Sequence, residues 1–534
     1  MSGPGGRVIG TGALLRLAVR VDRVRLPFWI VTFAVITGAS AAATAELYPT
    51  AESRASFTDG AEAVPALLAM YGHIYDPASL GAIAVLKLTG FGAALAALVT
   101  VFTAVRHTRA EEEAGRLELL GAGVLGRYAP LASGLGVVAG WSVLLGAGTT
   151  AGLALVGLPV AGSLALGAGW TAAGLVFGAL AVLTAQLTRS ARTASGLAAV
   201  VLAAMFALRA VGDSSGPGWL SWVSPIGWVQ QVRPFAGDRW WVFVLPMACT
   251  AVLVAVAVAC ARIRDHGAGL LPGRPGPARA GRLLGGTGGL AVRLTRMSLL
   301  VWLSAFLLTG LLVGSIASDI GEFLDNPRAR AFIAALGGAQ GVTDAFLAAE
   351  LAFAGLFASM YVVAVLARLH EEEQSLRTEP LLGTAIGRVR LLAGYLGLAA
   401  AGSLLGLTVA GAGAGLAYGA HTGHVAAELV RVTGAALAQW PAVLVSLGTA
   451  VAVFGLLPRF WVLAWAVLAF FGVIGEFGVL LGLAQWILDL SPFSHLPRLP
   501  GGTATATPLI WLTVVGAGLA VAGLIGFRRR DVPA

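Results

Sequence analysis

Two stretches of this chain carry carboxylates and guanidinium groups at a spacing that could do chemistry, and they are near copies. Glu111–Arg127 reads EEEAGRLELLGAGVLGR, and Glu371–Arg388 reads EEEQSLRTEPLLGTAIGR, one residue longer. Each opens on a triple glutamate: Glu111, Glu112 and Glu113 in the first, Glu371, Glu372 and Glu373 in the second. Each continues with Arg-x-Glu (Arg116 and Glu118; Arg377 and Glu379) and closes on Gly-Arg (Arg127; Arg388). The chemistry on offer is docking. Charged groups meet an aqueous partner, and Leu117, Leu119 and Leu120 give it an apolar face to bury. If the glutamates open a short helix, they favour its positive N-terminal end. Pro380, standing where the first copy has Leu119, predicts a kinked or shorter helix in the second copy.

Other chemistries lack their residues. A phosphate-binding loop needs G-x-x-x-x-G-K-[ST], and the single lysine, Lys87, sits in VLKLTG within an apolar run. His370 leads into the second triple glutamate without the second histidine of a zinc motif, and His421 and His424 have only Glu428 nearby. Cys249 and Cys260 share one apolar run and read as apolar filler. Four ionisable residues lie inside apolar runs, where a charge costs roughly 3 kcal/mol or more at mid-bilayer: Lys87, Arg209, Glu350 and Glu476. Aligning the two copies sets Arg209 against Glu476 and Lys87 about one turn from the counterpart of Glu350. This predicts a charged gate or substrate path near the outer interface, with separate snorkelling to water as the alternative.

The elements that must position these groups are membrane helices. Of 534 residues, 57% are hydrophobic and 11% charged, against about 25% charged in soluble domains. Runs of roughly twenty apolar residues recur, each long enough to cross a bilayer. The net charge of +9 is not a nucleic-acid signal. Most arginines fall in segments on one side of the membrane, which by the positive-inside rule is the cytoplasmic side and carries both termini. The alanine, glycine and arginine bias suggests a GC-rich bacterial genome and so a bacterial plasma membrane. Leu15–Leu26 reads as a basic amphipathic helix in the interface. Polar outer loops cover Leu47–Pro77 and Asp319–Thr343, and Gly212–Trp240 reads as a short tryptophan-rich hairpin dipping into the outer leaflet.

The pattern runs twice. Residues 1–265 form a first six-helix half, 266–289 a Pro/Gly/Arg-rich cytoplasmic linker, and 290–534 a second half. Ser224-Pro225 answers Ser491-Pro492, and Arg262-x-Arg264-Asp265 answers Arg528-x-Arg530-Asp531. The fold class is an all-α polytopic membrane protein with about 12 transmembrane helices, as two fused six-helix repeats of the same orientation.

The amphipathic lead-in, the six spans, and the glutamate, Arg-x-Glu, leucine and Gly-Arg segment between spans 2 and 3 resemble the membrane subunits of type-2 ATP-binding-cassette exporters. Two such units fused into one chain look like the actinobacterial polyketide-antibiotic (tetronasin-type) branch. The resemblance implies export of hydrophobic or amphipathic compounds. It implies that both repeated segments couple to a cytoplasmic ATPase, in two copies. ATP and Mg would be bound by that partner, with no cofactor on this chain. A proton-coupled secondary multidrug transporter is the alternative, since it too can have twelve spans in two parallel halves.

Labelling of introduced cysteines tests the topology. Reagents confined to the outside should reach positions 59, 216 and 325 and spare 267–289 and both triple-glutamate segments; one label on the wrong side contradicts the two-repeat arrangement.

Overall fold

In a bilayer no water satisfies backbone N–H and C=O groups, so a chain of this composition crosses as helices. Every regular element among the described residues is helical. The computed structural model describes residues 8–62, 65–117, 125–214, 217–265, 267–271, 279, 281, 286–322, 338–477 and 484–530. The chain divides into two compact units, Met1–Gly276 and Pro277–Ala534. Among the described residues 11 helices are long and apolar enough to span a membrane. The first unit supplies Arg25–Leu47, Leu80–Glu113, Ala129–Leu155, Val160–Leu187, Ala191–Ser214 and Trp240–Ile263. The second supplies Thr287–Ala317, Thr343–Gln374, Arg388–Thr422, Val425–Leu456 and Ala506–Arg529. The remaining expected span corresponds to the apolar helix Val462–Phe477, of 16 residues; residues 478–483 lie outside the described residues.

Lipid tails are as apolar as leucine, so burial alone does not drive these helices together; close packing and small residues do. In the first unit a Cβ on Gly146 would stand 2.3 Å from the Gly167 carbonyl oxygen, so the Ala129–Leu155 and Val160–Leu187 helices touch backbone to backbone. In the second unit Gly455 and Gly523 do the same for Trp440–Leu456 and Ala506–Arg529, with 2.0 Å between a Cβ at Gly455 and the Gly523 oxygen.

Polar residues fix what glycine lets approach. The lead-in helix Thr11–Val21 ends at Asp22, which is buried. Asp22 accepts hydrogen bonds from Arg106 Nη1 and His107 Nε2 at 2.6 Å each, and from Trp141 Nε1 at 3.2 Å. Burial alone would raise the Asp22 carboxyl. The His107 hydrogen bond and charge, the Arg106 charge and Trp141 outweigh it and hold the group below its ordinary value. At the opposite end the expected polar loop 47–77 contains two helices, Ala51–Glu62 and Pro65–Tyr71. The expected hairpin is a pair of short helices, Trp219–Val223 and Pro225–Gln231. Ser224 stands between them and donates to the Met205 carbonyl at 2.7 Å; its counterpart Ser491 donates to Phe471 at 2.9 Å.

Two consequences are measurable. Gly523→Ala should destabilise the purified protein by about 1–3 kcal/mol through overpacking, whereas Gly518→Ala on the same helix, which meets nothing within 4 Å, should leave the thermal midpoint unchanged or slightly raised. A carboxyl depressed in the folded state stabilises above its unfolded value, about pH 4, and that contribution disappears as pH falls through the folded value. A fluorophore near residue 16 should therefore report release of the lead-in helix on acidification of the natural protein, whereas Asp22→Asn should be loosened already at neutral pH and lack the acid transition of this group.

Candidate functional site at the triple-glutamate ends

The first triple glutamate does not begin a helix. The Leu80–Val105 helix continues through one π-helical turn, Arg106–Ala110, and Glu111–Glu113 is its last turn. The dipole argument is therefore reversed: these carboxylates stand at the negative C-terminal end, where they are disfavoured unless cations hold them.

Arginines do so. Arg109, almost wholly buried, places Nη1 2.9 Å from Glu112 Oε2. Arg264, at the exit of the Val244–Ile263 helix, grips the same carboxylate with both terminal nitrogens, at 2.9 Å and 3.0 Å. The Gly267 N–H adds a fourth donor at 2.7 Å. Arg109 also donates to the carbonyls of Arg189, Gly267 and Ala268. One carboxylate thus ties the end of the 80–113 helix to the exit of the sixth span, and Arg109 adds the turn before the fifth. Glu113 accepts the Ala191 N–H at 2.8 Å, at the positive end of the Ala191–Ser214 helix. Arg127 donates to the Arg262 carbonyl at 2.9 Å. Glu111 and Arg116 form a two-pronged pair at 2.6 Å and 2.9 Å, with Arg116 mostly exposed. Glu118 lies outside the described residues.

The second unit repeats the theme with one exchange of partners. Its glutamates end the Gly338–Gln374 helix. Glu373, buried, pairs with Arg530 at 2.7 Å, the counterpart of Arg264. Glu372 pairs with Arg368 and, at 3.5 Å, with Arg377. Arg388 donates to the Arg530 carbonyl. Glu371 is exposed, with Arg368 at 3.3 Å. Glu379 opens the short helix Glu379–Leu382, and Pro380 falls in its first turn, where no backbone donor is needed. Pro380 therefore starts a helix and does not kink one.

Both units leave the glutamate turn through a left-handed residue. In the first it is Gly115, φ +70°. In the second it is Leu376, φ 56°, with its side chain substantially exposed. A left-handed turn closes a helix C-terminus well, but a leucine there costs about 1 kcal/mol.

The four membrane charges are placed differently from one another. Arg209 is fully buried, and its two terminal nitrogens find partners within its own unit while its Nε has none. Its Nη2 donates to the carbonyls of Ala69 and Met70 at 2.9 Å and 3.1 Å, at the end of the Pro65–Tyr71 helix. Its counter-ion is Asp213, at 3.5 Å, which also accepts the Ser221 hydroxyl. Asp213 was legible as an i, i+4 partner; reading position 213 as loop hid it. The expected partner Glu476 has a side chain outside the described residues, and the counter-ion seen for Arg209 is Asp213. Glu350 is half-buried on the Gly338–Gln374 helix, and Lys87 is exposed.

Comparison with known proteins fits this architecture. The family model described as "Multidrug efflux system permease Rv1217c, C-terminal domain" matches twice, over residues 12–262 and 284–528. The chain is also similar to the multidrug efflux system permease protein Rv1217c of Mycobacterium tuberculosis, 44% identical over 530 residues, covering 99% of this chain and 96% of that relative. With a matching model over both units and a relative of this identity along nearly its whole length, the chain belongs to the Rv1217c family of multidrug efflux system permeases.

Proposed function

We propose that this protein is the membrane subunit of an ATP-driven exporter of hydrophobic or amphipathic compounds, drugs or polyketide antibiotics of the tetronasin type among them. A separate cytoplasmic ATPase energises it, two copies per chain, and ATP and Mg are bound there. The single observation that carries the reading is the double match of one family model, with a triple-glutamate segment in the same place in each match. The name of the Mycobacterium tuberculosis relative supports drug efflux. The arginine asymmetry supports a plasma-membrane protein with the glutamate ends and both termini in the cytoplasm.

The geometry sorts the segment into two roles. Glu112 and Glu113, with Arg127, hold their own unit together, as do Glu373 and Arg388 in the second. Glu111 with Arg116, and Leu376 with Glu379, are what remains for a partner. A strained, exposed leucine at the tip of such a turn fits a docking contact, because strain of this kind is retained where function uses it. A push on the segment then reaches the fifth span through Glu113 and the sixth through Glu112 and Arg264.

Three variants separate docking from staple. Arg116→Gln should leave thermal stability within about 0.5 kcal/mol yet weaken co-purification of the ATPase and ATP-dependent uptake into inverted vesicles. Glu112→Gln should lower stability by about 3 kcal/mol, since it strands Arg109 and Arg264 beside a neutral group. Leu376→Gly should raise stability by about 1 kcal/mol through relief of strain and weaken ATPase binding. Uptake that persists without ATP and collapses with a protonophore would instead make this a proton-coupled carrier.

A further inference from the structure

At the end of the first unit opposite its triple glutamate, a cavity of about 190 Å³ opens between the outer helices and the start of the Leu80–Val105 helix. Phe57, Ala61, Leu67, Tyr71, Ile74 and Leu86 contribute apolar walls. Apolar cavities of about 150 Å³ hold a benzene-sized group, so this one accepts a ring or a short branched chain. Two charged residues also line it, Lys87 and Glu62. Their situations differ. Glu62 already accepts the Ile74 N–H, at 3.3 Å. Lys87 is the one lysine of the chain; it is exposed and has no counter-ion among the described residues.

An ammonium beside an apolar hollow, near the start of the Leu80–Val105 helix, is a recognition element for opposite charge. We propose that this cavity binds an amphiphilic organic anion: its carboxylate, sulfonate or phosphate sits on Lys87, and a compact apolar group fills the space between Phe57, Leu67 and Leu86. The occupant is either a lipid of the membrane or a water-borne amphiphile; the chemistry is shared. Orientation follows from the charges, since Glu62 repels the anionic end and leaves Lys87 as its seat. The site goes beyond the exporter reading. It belongs to one unit and requires neither nucleotide nor ATPase.

The test uses the full chain in phosphatidylcholine nanodiscs, without ATP or partner, so that its failure would leave the exporter reading untouched. The probe is a diazirine-bearing octanoic acid, with its methyl ester as the neutral twin, and labelled peptides are mapped by mass spectrometry. The acid should label 51–71 and 80–88 about fivefold more than the ester, the factor expected of one modest ion pair. Lys87→Gln should abolish that excess and Lys87→Arg should keep it; both change an exposed residue, so folding is not at stake. Ala61→Phe should lower labelling by acid and ester alike by filling the space, and Glu62→Gln should not weaken the acid. Repeating the experiment with phosphatidylglycerol assigns the source: suppression marks a lipid as occupant, persistence a water-borne amphiphile, and either outcome keeps the site. Equal labelling by acid and ester, or an undiminished excess in Lys87→Gln, overturns the proposal.

Discussion

The structure of each unit at its glutamate end depends on one electrostatic constraint. A helix that ends in three carboxylates carries them on its negative pole, and this arrangement is tolerable only where cations are held against it. Arg109 and Arg264 do this for Glu112, and Arg530 does it for Glu373. These pairs are shielded from water, so removing one partner leaves an uncompensated buried charge; that makes them fasteners in a way that an exposed pair is not. Because Arg264 and Arg530 leave the last helix of their units, the same bonds that neutralise the glutamates close each bundle at that end.

The rest of each bundle is arranged around such fasteners. Glycine contacts such as Gly146 with Gly167 and Gly455 with Gly523 bring helices together but do little to fix where their ends point. Polar residues at the two ends supply that. In the first unit Asp22 anchors the lead-in helix to Arg106, His107 and Trp141. At the other end Arg209 and Asp213 bind the fifth span to the Pro65–Tyr71 helix. In the second unit Arg431 bridges Asp344 and Glu428. Charges are scarce in this chain, and those that remain inside it are mostly used to join helix ends.

Much of this was legible in the sequence, and the exceptions have physical causes. Apolar runs and arginine placement were enough for the helical membrane class, because a bilayer permits little else. The doubled glutamate motif led directly to the residues that close each unit. What failed was the sign of the dipole at those glutamates. The π turn at Arg106–Ala110 lets the second span run on through a polar stretch, and no apolar periodicity marks such an extension. Pro380 was read as kinking or shortening its helix; it stands in the first turn of a four-residue helix, where a proline is harmless, so no kink forms. The helices 51–62 and 65–71 were missed because the first is polar without a strong apolar period and the second, though apolar, is only seven residues long. Arg209 was matched only to Glu476, whose side chain lies outside the described residues, and Asp213, one turn away, was overlooked.

The central claim is that Glu112 makes the glutamate turn and the exit of the sixth span one body, so that a push on the first moves the second. The direct measurement is the distance between spin labels at Ala114 and Asp265, both exposed, in the protein with Cys249 and Cys260 replaced. It is made on the permease alone, with the proposed ATPase partner, and with that partner trapped in its nucleotide-bound state. The account predicts one narrow distance distribution, unchanged across all three states and broadened by Glu112→Gln. A shift of several ångströms on nucleotide binding in the otherwise natural protein, or a Glu112→Gln distribution as narrow as the original, would contradict it.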